Sequence, residues 1–400
     1  MKTRLIIFLT ISCCQQLAIS QSDTINEPVK ERKWFQKINF GGYLQLRYNG
    51  LFESNPDLTC EQCDKAWGEG SNFSIRRARI VFSGQIHPQI SFYIQPDFAS
   101  GINGSKNFVQ LRDAYFDLGV DKKNEFRFRI GQSKVPYSFE NMQSSRNRLS
   151  LDRNDGLNSS FANERDLGIY FMWAPPKFRQ LFKDLVDQGL KGSGDFGVVA
   201  LGVINGQPLN TKELNNNKHI VLRATYPFKI KNQIFEGSIQ GYTGLYHMRA
   251  DDISIGVKHN GTLNYKDQRV GVSAIWHPKP FGIQAEYNIG RGPEFNKYTD
   301  SIETRKLKGG YILLNYQLKL KNHLFIPFAK YEYYNGGKKF ELDARSHHVN
   351  ELEFGVEWQP LKYFKLTVQY MLSERRYEDF QMQNNFQKGH LLRLQAQVSF

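Results

Sequence analysis

The sequence predicts an all-β protein: a transmembrane antiparallel β-barrel of about 16 strands with one long loop folded inward as a constriction. Three observations carry that expectation. Period-2 alternation recurs down the chain with an apolar face rich in aromatics, and no helical core is available to cover it. Short and long connections alternate, as in barrels with tight turns at one end and loops at the other. The last strand is apolar on one face and ends the chain on Phe400.

One segment shows the logic. Phe126, Phe128 and Ile130 share one side of a strand, and Arg127 and Arg129 share the other. A soluble sandwich would bury the first side and wet the second. Repetition of the pattern along 400 residues instead suits strands that meet lipid outside and water inside.

Residues 1–20 read as a signal peptide. Lys2 and Arg4 give a positive start, Leu5 to Ile11 a short apolar run, and Ala18 to Ser20 a small-x-small cleavage site. The run is too short to cross a bilayer as a helix. A lipoprotein start through Cys13 is disfavoured by Thr10. The chain is therefore expected to be exported, with residues 21–39 as a periplasmic N-terminal segment and 40–400 as the barrel. Loss of Lys2 and Arg4 takes the net charge from +14 to +12, 51 basic against 39 acidic residues.

Mean hydropathy is −0.53 and no later stretch has membrane-helix length, which excludes a helical membrane protein. Thirty Phe and 20 Tyr suit interfacial aromatic girdles. Cys60 and Cys63 remain after export, in a polar loop, and an oxidising compartment favours a local disulfide between them. A redox or metal role would need a βαβ context or further ligands nearby.

The strands follow in order. Gly42, Leu44, Leu46 and Tyr48 alternate with Tyr43, Gln45 and Arg47; Ala78, Ile80 and Phe82 with Arg77, Arg79 and Ser83. Ile90, Phe92 and Ile94 oppose Tyr93, Gln95 and Asp97, and Ala114, Phe116 and Leu118 oppose Asp113, Tyr115 and Asp117. After Gln132–Asp166, Leu167, Ile169, Phe171 and Trp173 form another outward set. Lys177 to Leu190 suits a short amphipathic helix, and strands resume near Phe196–Ile204, His219–Tyr226 and Phe235–Gly244. Short turns fall at Gln85–Gln89, Val120–Asn124, His277–Pro280, Lys319–His323 and Pro360–Lys362. Long loops fall at Asn49–Asn72, Gln132–Asp166, Arg291–Lys308, Asn335–Asn350 and Glu374–Gly389. Parity of ends places Leu245–Lys266 in a loop as well, which leaves about 16 strands. Leu392, Leu394, Ala396 and Val398 alternate with Arg393, Gln395, Gln397 and Ser399 in the last of them.

Function follows from the lumen. Gln132–Asp166 is too long for an ordinary connection, and its expected role is to narrow a water-filled channel. Strand phase directs Arg77, Arg79, Arg127 and Arg129 inward, and the loop adds Lys134, Arg146, Arg148 and Arg153. Rings of such cations guide anions. Asp97, Asp113 and Asp117 share the lumen, so structural pairing and anion guidance both remain open for any one arginine. By strict alternation no strand carries three successive inward arginines. Scattered histidines and the absence of G-x-S-x-G, H-E-x-x-H and glycine-rich phosphate loops argue against an enzyme, a metal site or a cofactor. Basic charge spread among strands of an exported chain argues against nucleic acid. A barrel that binds or adheres through its outer loops is the alternative to a channel.

RRAR at 76–79, QPDF at 95–98, DAYFDL at 113–118 and above all RIGQSKVPYSFE at 129–140 resemble the phosphate-selective porin O and P family. The matching blocks lie between about Gly41 and Asp166. The resemblance implies a 16-stranded porin in the outer membrane of a Gram-negative-type bacterium, a homotrimer surrounded by outer-membrane lipid and lipopolysaccharide. Its third loop would fold into the lumen, with arginines and lysines guiding phosphate-like or other small anions.

Overall fold

In the computed structural model, residues 37–53, 71–102 and 105–400 are described. The expected signal peptide and the Cys60–Cys63 pair lie outside them. The strands are β1 (Ile38–Glu53), β2 (Asn72–His87), β3 (Ile90–Ile102), β4 (Ser105–Gly119), β5 (Phe126–Lys134) and β6 (Arg165–Trp173). Next come β7 (Val199–Ile204), β8 (His219–Ile230), β9 (Gln233–His247), β10 (Asn264–Trp276) and β11 (Phe281–Asn296). β12 (Ser301–Tyr316) resumes as Leu318–Leu320 after a break at Gln317. It is followed by β13 (His323–Gly337), β14 (Ser346–Leu361), β15 (Phe364–Glu378) and β16 (Asn385–Ser399). Neighbours in sequence pair antiparallel, and β1 pairs with β16, so the sheet closes as a 16-stranded barrel.

Closure uses the chain's last residue. Phe400 N donates to Gly42 O at 3.1 Å, and Gly42 N to Phe400 O at 3.0 Å. A Cβ on residue 42 would lie 2.4 Å from Arg79 O and 2.7 Å from the Phe400 ring, so only glycine fits this seam. The ring packs 5.9 Å from Phe40, which meets Phe82 at 5.5 Å. The aromatic C-terminus thus bridges the first, second and last strands.

The alternation reads correctly along the wall. Leu46, Ile169, Leu222, Val272 and Val398 face outward and are exposed, while Gln45, Arg47, Arg79, Arg129, Arg223 and Arg393 face inward and are buried. Near the short-turn end, Phe228, Phe235, Trp276 and Phe281 form a run of ring contacts at 5.2–5.5 Å, part of an aromatic girdle. Among the described residues no helix is long and apolar enough to cross a membrane. Strands do the crossing.

Three expectations need correction. Arg291–Lys308 is not a long loop: β11 and β12 continue as a tall hairpin, paired from Arg291↔Lys306 to Asn296↔Ser301. Ladder bonds satisfy that backbone above the membrane, where neither face needs to be apolar, so the sequence pattern reads as loop. β7 begins at Val199, and Phe196 belongs to the preceding connection. Strict alternation also fails at two bulges. Gln45 pairs with Arg77 but Leu46 pairs with Ile75, which makes Arg76 an extra residue. Gln95 pairs with Asp113 but Pro96 pairs with Leu111, which does the same for Arg112.

Val272→Arg should destabilise the barrel by about 2–4 kcal/mol, because the side chain would meet hydrocarbon far from either rim. Val398→Arg, next to the rim, should cost less. Urea-unfolding midpoints of the two variants in lipid vesicles test this, and equal costs would contradict the assigned membrane depth.

Candidate functional site

Residues 135–164 leave β5 and turn into the barrel. Gly131, at φ +126°, sits where a Cβ would come within 2.3 Å of Ala114 O, so the strand end needs glycine. Lys134 Nζ then donates to the carbonyls of Asn141, Met142 and Gln143 at 2.7–3.0 Å and caps the turn α1 (Phe139–Met142). Its other end is held by Glu286 of β11. That carboxylate accepts from Ser138 Oγ, Phe139 N, Glu140 N and Tyr311 OH at 2.8–3.0 Å. The block RIGQSKVPYSFE therefore encodes the entry of the loop into the lumen.

Further in, the loop adds carboxylates to wall cations, two of which also have wall partners: Lys330 meets Glu332 at 3.2 Å and Arg375 meets Glu351 at 2.9 Å. Glu140 pairs with Lys330 of β13 at 2.9 Å. Asp152 pairs with Arg47 of β1 at 3.4 Å and with Arg393 of β16. Asp155, opening α2 (Asp155–Asn158), takes Arg375 of β15 at 2.7 Å and Lys338 at 3.2 Å. Arg269 of β10 donates to Gly156 O and Ser159 Oγ at 2.8 Å. Removing one partner of such a buried pair costs roughly 3–5 kcal/mol, since the other charge stays behind. Leu149, Leu157 and Phe161 add an apolar contact with Tyr242, Tyr311 and Phe328 of the wall. Burial would raise the Glu164 carboxyl, but Arg153 and Arg165 outweigh it and hold the group well below the usual carboxylate range.

What stays open is a cavity of about 410 Å³ between the loop and the wall of β2–β5. Arg79, Arg127, Arg129, Lys134, Arg146 and Arg165 line it, with Asp113, Asp117 and Asp195 opposite or between them. Most of these charges are already paired. Arg79 meets Asp97 at 2.7 Å, Arg129 grips Asp117 with two bonds at 2.8 and 3.0 Å, and Arg165 grips Asp113 at 2.8 and 3.0 Å. Arg127 meets Asp195 at 2.8 Å. Arg146 is exposed, and no described carboxylate lies within ion-pair distance of it.

The expected site residues thus divide. Arg79, Arg127, Arg129, Lys134, Arg146, Asp113 and Asp117 border the cavity. Arg77 lies beside it and donates to Gln45 at 3.0 Å. Asp97 is buried between Arg79 and Arg112. Arg148 and Arg153 lie inside the loop: Arg148 donates to Ser150 O and Leu151 O, and Arg153 pairs with Glu164 at 2.7 Å. Two lumenal arginines escape strict alternation. Arg76 sits electrostatically among Arg77, Arg47 and Asp152, and Arg112 lies 3.5 Å from Asp97. The doublets Arg76-Arg77 and Arg112-Asp113 were the available signal, because two adjacent charges on a lipid-facing strand require a bulge. Also absent from the sequence reading is the cavity floor, Gly192 to Phe196, contributed by the connection between β6 and β7.

A closed antiparallel barrel whose third long-end loop fills most of the lumen, leaving a charged passage, is the architecture of an outer-membrane porin. The sequence matches the phosphate-selective porin O and P family over residues 57–400, and the chain belongs to that family. Solved structures of similar fold include the outer membrane channel DcaP of Acinetobacter baumannii. It has a TM-score of 0.55 and 14% identity, covering 91% of this chain and 97% of that one. An anion-selective porin from Comamonas acidovorans has a TM-score of 0.51 and 10% identity, with 91% and 99% covered. OmpT of Vibrio cholerae in a trimer form has a TM-score of 0.50 and 9% identity, again with 91% and 99% covered. Identity this low shows a shared fold. No curated protein matches the sequence.

Glu286→Ala removes the acceptor that starts the inward turn and should release the loop while the wall stays closed. Hydrogen bonds to a charged group contribute about 1.5–3 kcal/mol each, so the loop should open often enough to measure. A cysteine at Asn141 should then react with maleimide at least tenfold faster than in the unaltered background, with heat-modifiable gel migration unchanged.

Proposed function

We propose that the barrel is a diffusion channel for small solutes that prefers anions, phosphate-like or otherwise, with Arg146 setting the sign at the narrow zone. The observation behind this is the charge balance of the cavity wall. Arg127, Arg129 and Arg165 are each offset by an aspartate that also borders the cavity, and Arg79 by Asp97. Lys134 is satisfied by neutral carbonyls of the loop itself, and Arg146 is exposed and borders the passage with no described carboxylate within ion-pair distance. The field of Arg146 favours anions and is screened by salt.

In this reading residues 1–20 are cleaved, 21–39 lie in the periplasm, and 40–400 form the barrel in outer-membrane lipid and lipopolysaccharide. The short turns and both barrel ends of the chain face the periplasm. The protein works as a homotrimer, in keeping with the trimer form of OmpT, and no chemistry or cofactor is required of it.

Reversal potentials in planar bilayers under a salt gradient test the assignment. Arg146→Gln should move the potential toward cations, most at low salt, without loss of stability. Arg129→Gln with Asp117→Asn removes one charge of each sign and should leave the potential near that of the unaltered protein. If the paired change shifts selectivity and Arg146→Gln does not, the sign is set by the wall pairs and the assignment to Arg146 fails.

A further inference from the structure

β6 and β7 are adjacent, with Trp173 directly opposite Val199. A tight turn of two to five residues would join them. Residues 174–198 stand there instead, and their course is unlike that of any other short-end connection. The helix α3 (Pro176–Asp187) packs Phe182 and Leu185 against Trp173, Val198 and Ile234 at the mouth. Beyond it the chain enters the barrel. Gly189 O accepts from Gln317 beside β12 at 3.2 Å, and Leu190 O lies 3.0 Å from His277 Nδ1 after β10. Lys191 Nζ then meets Glu357 of β14 at 2.6 Å, with both side chains almost wholly buried.

In a closed ring of sixteen strands, β6 and β14 are eight apart and so face each other across the diameter. The chain returns from there to β5, where Asp195 pairs with Arg127 and the Phe196 ring lies 5.5 Å from the Arg129 guanidinium. Arg129 is held on its other side by the Tyr115 ring at 4.0 Å. Residues 189–196 are therefore a bar laid across the lumen. The inward loop rests on it: Gln143 Nε2 donates to Lys191 O at 2.5 Å. Gly192 to Phe196 form the floor of the open cavity, so a solute that passes the narrow zone meets the bar next.

The bar is built to be held and to move. Its attachments to the far wall and to β5 are ion pairs and single hydrogen bonds, not sheet pairing. Gly189 ends α3 as its left-handed glycine, φ +70°, with Leu190 N donating to Leu185 O at 2.9 Å and Gly189 N to Val186 O at 3.1 Å. Gly194 within the bar and Gly197 just past it have φ of +96° and +82°. Nothing lies within 4 Å of a Cβ built on Gly189. Gly194 and Gly197 are positions of the kind that absorb the backbone rotation of a hinge. Burial also lowers the Lys191 ammonium to about 8 against the pull of Glu357.

We propose that the 189–196 bar is a gate at the short-turn mouth, latched across the lumen by Lys191–Glu357 and Asp195–Arg127, which swings aside to let solutes through. This rests on the channel reading above but not on its anion preference. It also gives two of the wall arginines, Arg127 and Arg129, a part in seating the gate.

The test is single-channel recording on the full-length protein with Cys60 and Cys63 changed to serine. With Lys191→Cys and Glu357→Cys, a reducible bis-thiosulfonate cross-linker should hold the bar down. Conductance should fall several-fold and return on reduction. A cross-linked protein that conducts as before overturns the gate. In a second variant, Pro176–Phe196 replaced by a four-residue Gly-Ser turn, conductance should rise and closures should become rare, provided gel migration shows a folded barrel. Closures as frequent as in the full-length protein would also overturn it. If neither the full-length nor the shortened barrel conducts, the channel reading itself fails. If the shortened variant does not fold, the cross-linking result decides.

Discussion

Lipid offers no hydrogen-bond partner, so every backbone N–H and C=O of this sheet has to be satisfied within the sheet, and the sheet has to close. Closure brings β1 beside β16 and sets the Phe400 backbone against Gly42. It also sorts the side chains. Whatever alternates outward must be apolar, and every polar group is driven into a lumen shared by sixteen strands. The rest of the molecule responds to that crowding of charge.

The inward loop is the main response. Glu140, Asp152 and Asp155 meet Lys330, Arg47, Arg393 and Arg375, which project from strands far apart in sequence. Each wall cation would be costly to bury alone, and each loop acid would be costly to sink into the barrel alone. Together they hold the loop against β10–β16 and β1 and leave the β2–β5 side open. The passage is therefore off-centre, on the side away from the loop's ion pairs with Lys330, Arg47, Arg393 and Arg375.

A second response is local. The β2–β5 wall carries its own acids, with Asp117 on Arg129, Asp113 on Arg165 and Asp97 on Arg79 and Arg112. Paired side chains define the passage without giving it a strong sign. In the proposed reading the sign then rests on Arg146, which has no described carboxylate within ion-pair distance. On that reading the plain number of inward arginines is a poor guide to selectivity. The bulges at Arg76 and Arg112 matter for the same reason. Each adds a guanidinium to a region that Asp97, Asp152 and Glu164 already balance.

Most of the fold was legible in the sequence, because the bilayer imposes a rule that acts residue by residue. Alternation along Phe126 to Ile130, the polar turns and the terminal Leu392–Phe400 strand all follow from it, and so does the inward direction of Arg79 and Arg129. The length of Gln132–Asp166 and the resemblance carried by the block Arg129–Glu140 both implied a loop that enters the lumen, and Lys134 caps a turn only seven to nine residues further on. The tall β11–β12 hairpin was not legible, because above the membrane the alternation rule no longer applies. Nor were the partners of the charges. Arg127 with Asp195, Lys191 with Glu357 and Glu286 with the start of α1 are separated by many residues and depend on how the closed ring brings strands and inward connections together. Periodicity along the chain specifies a side chain's face, whereas its partner across the lumen is specified only by closure of the barrel.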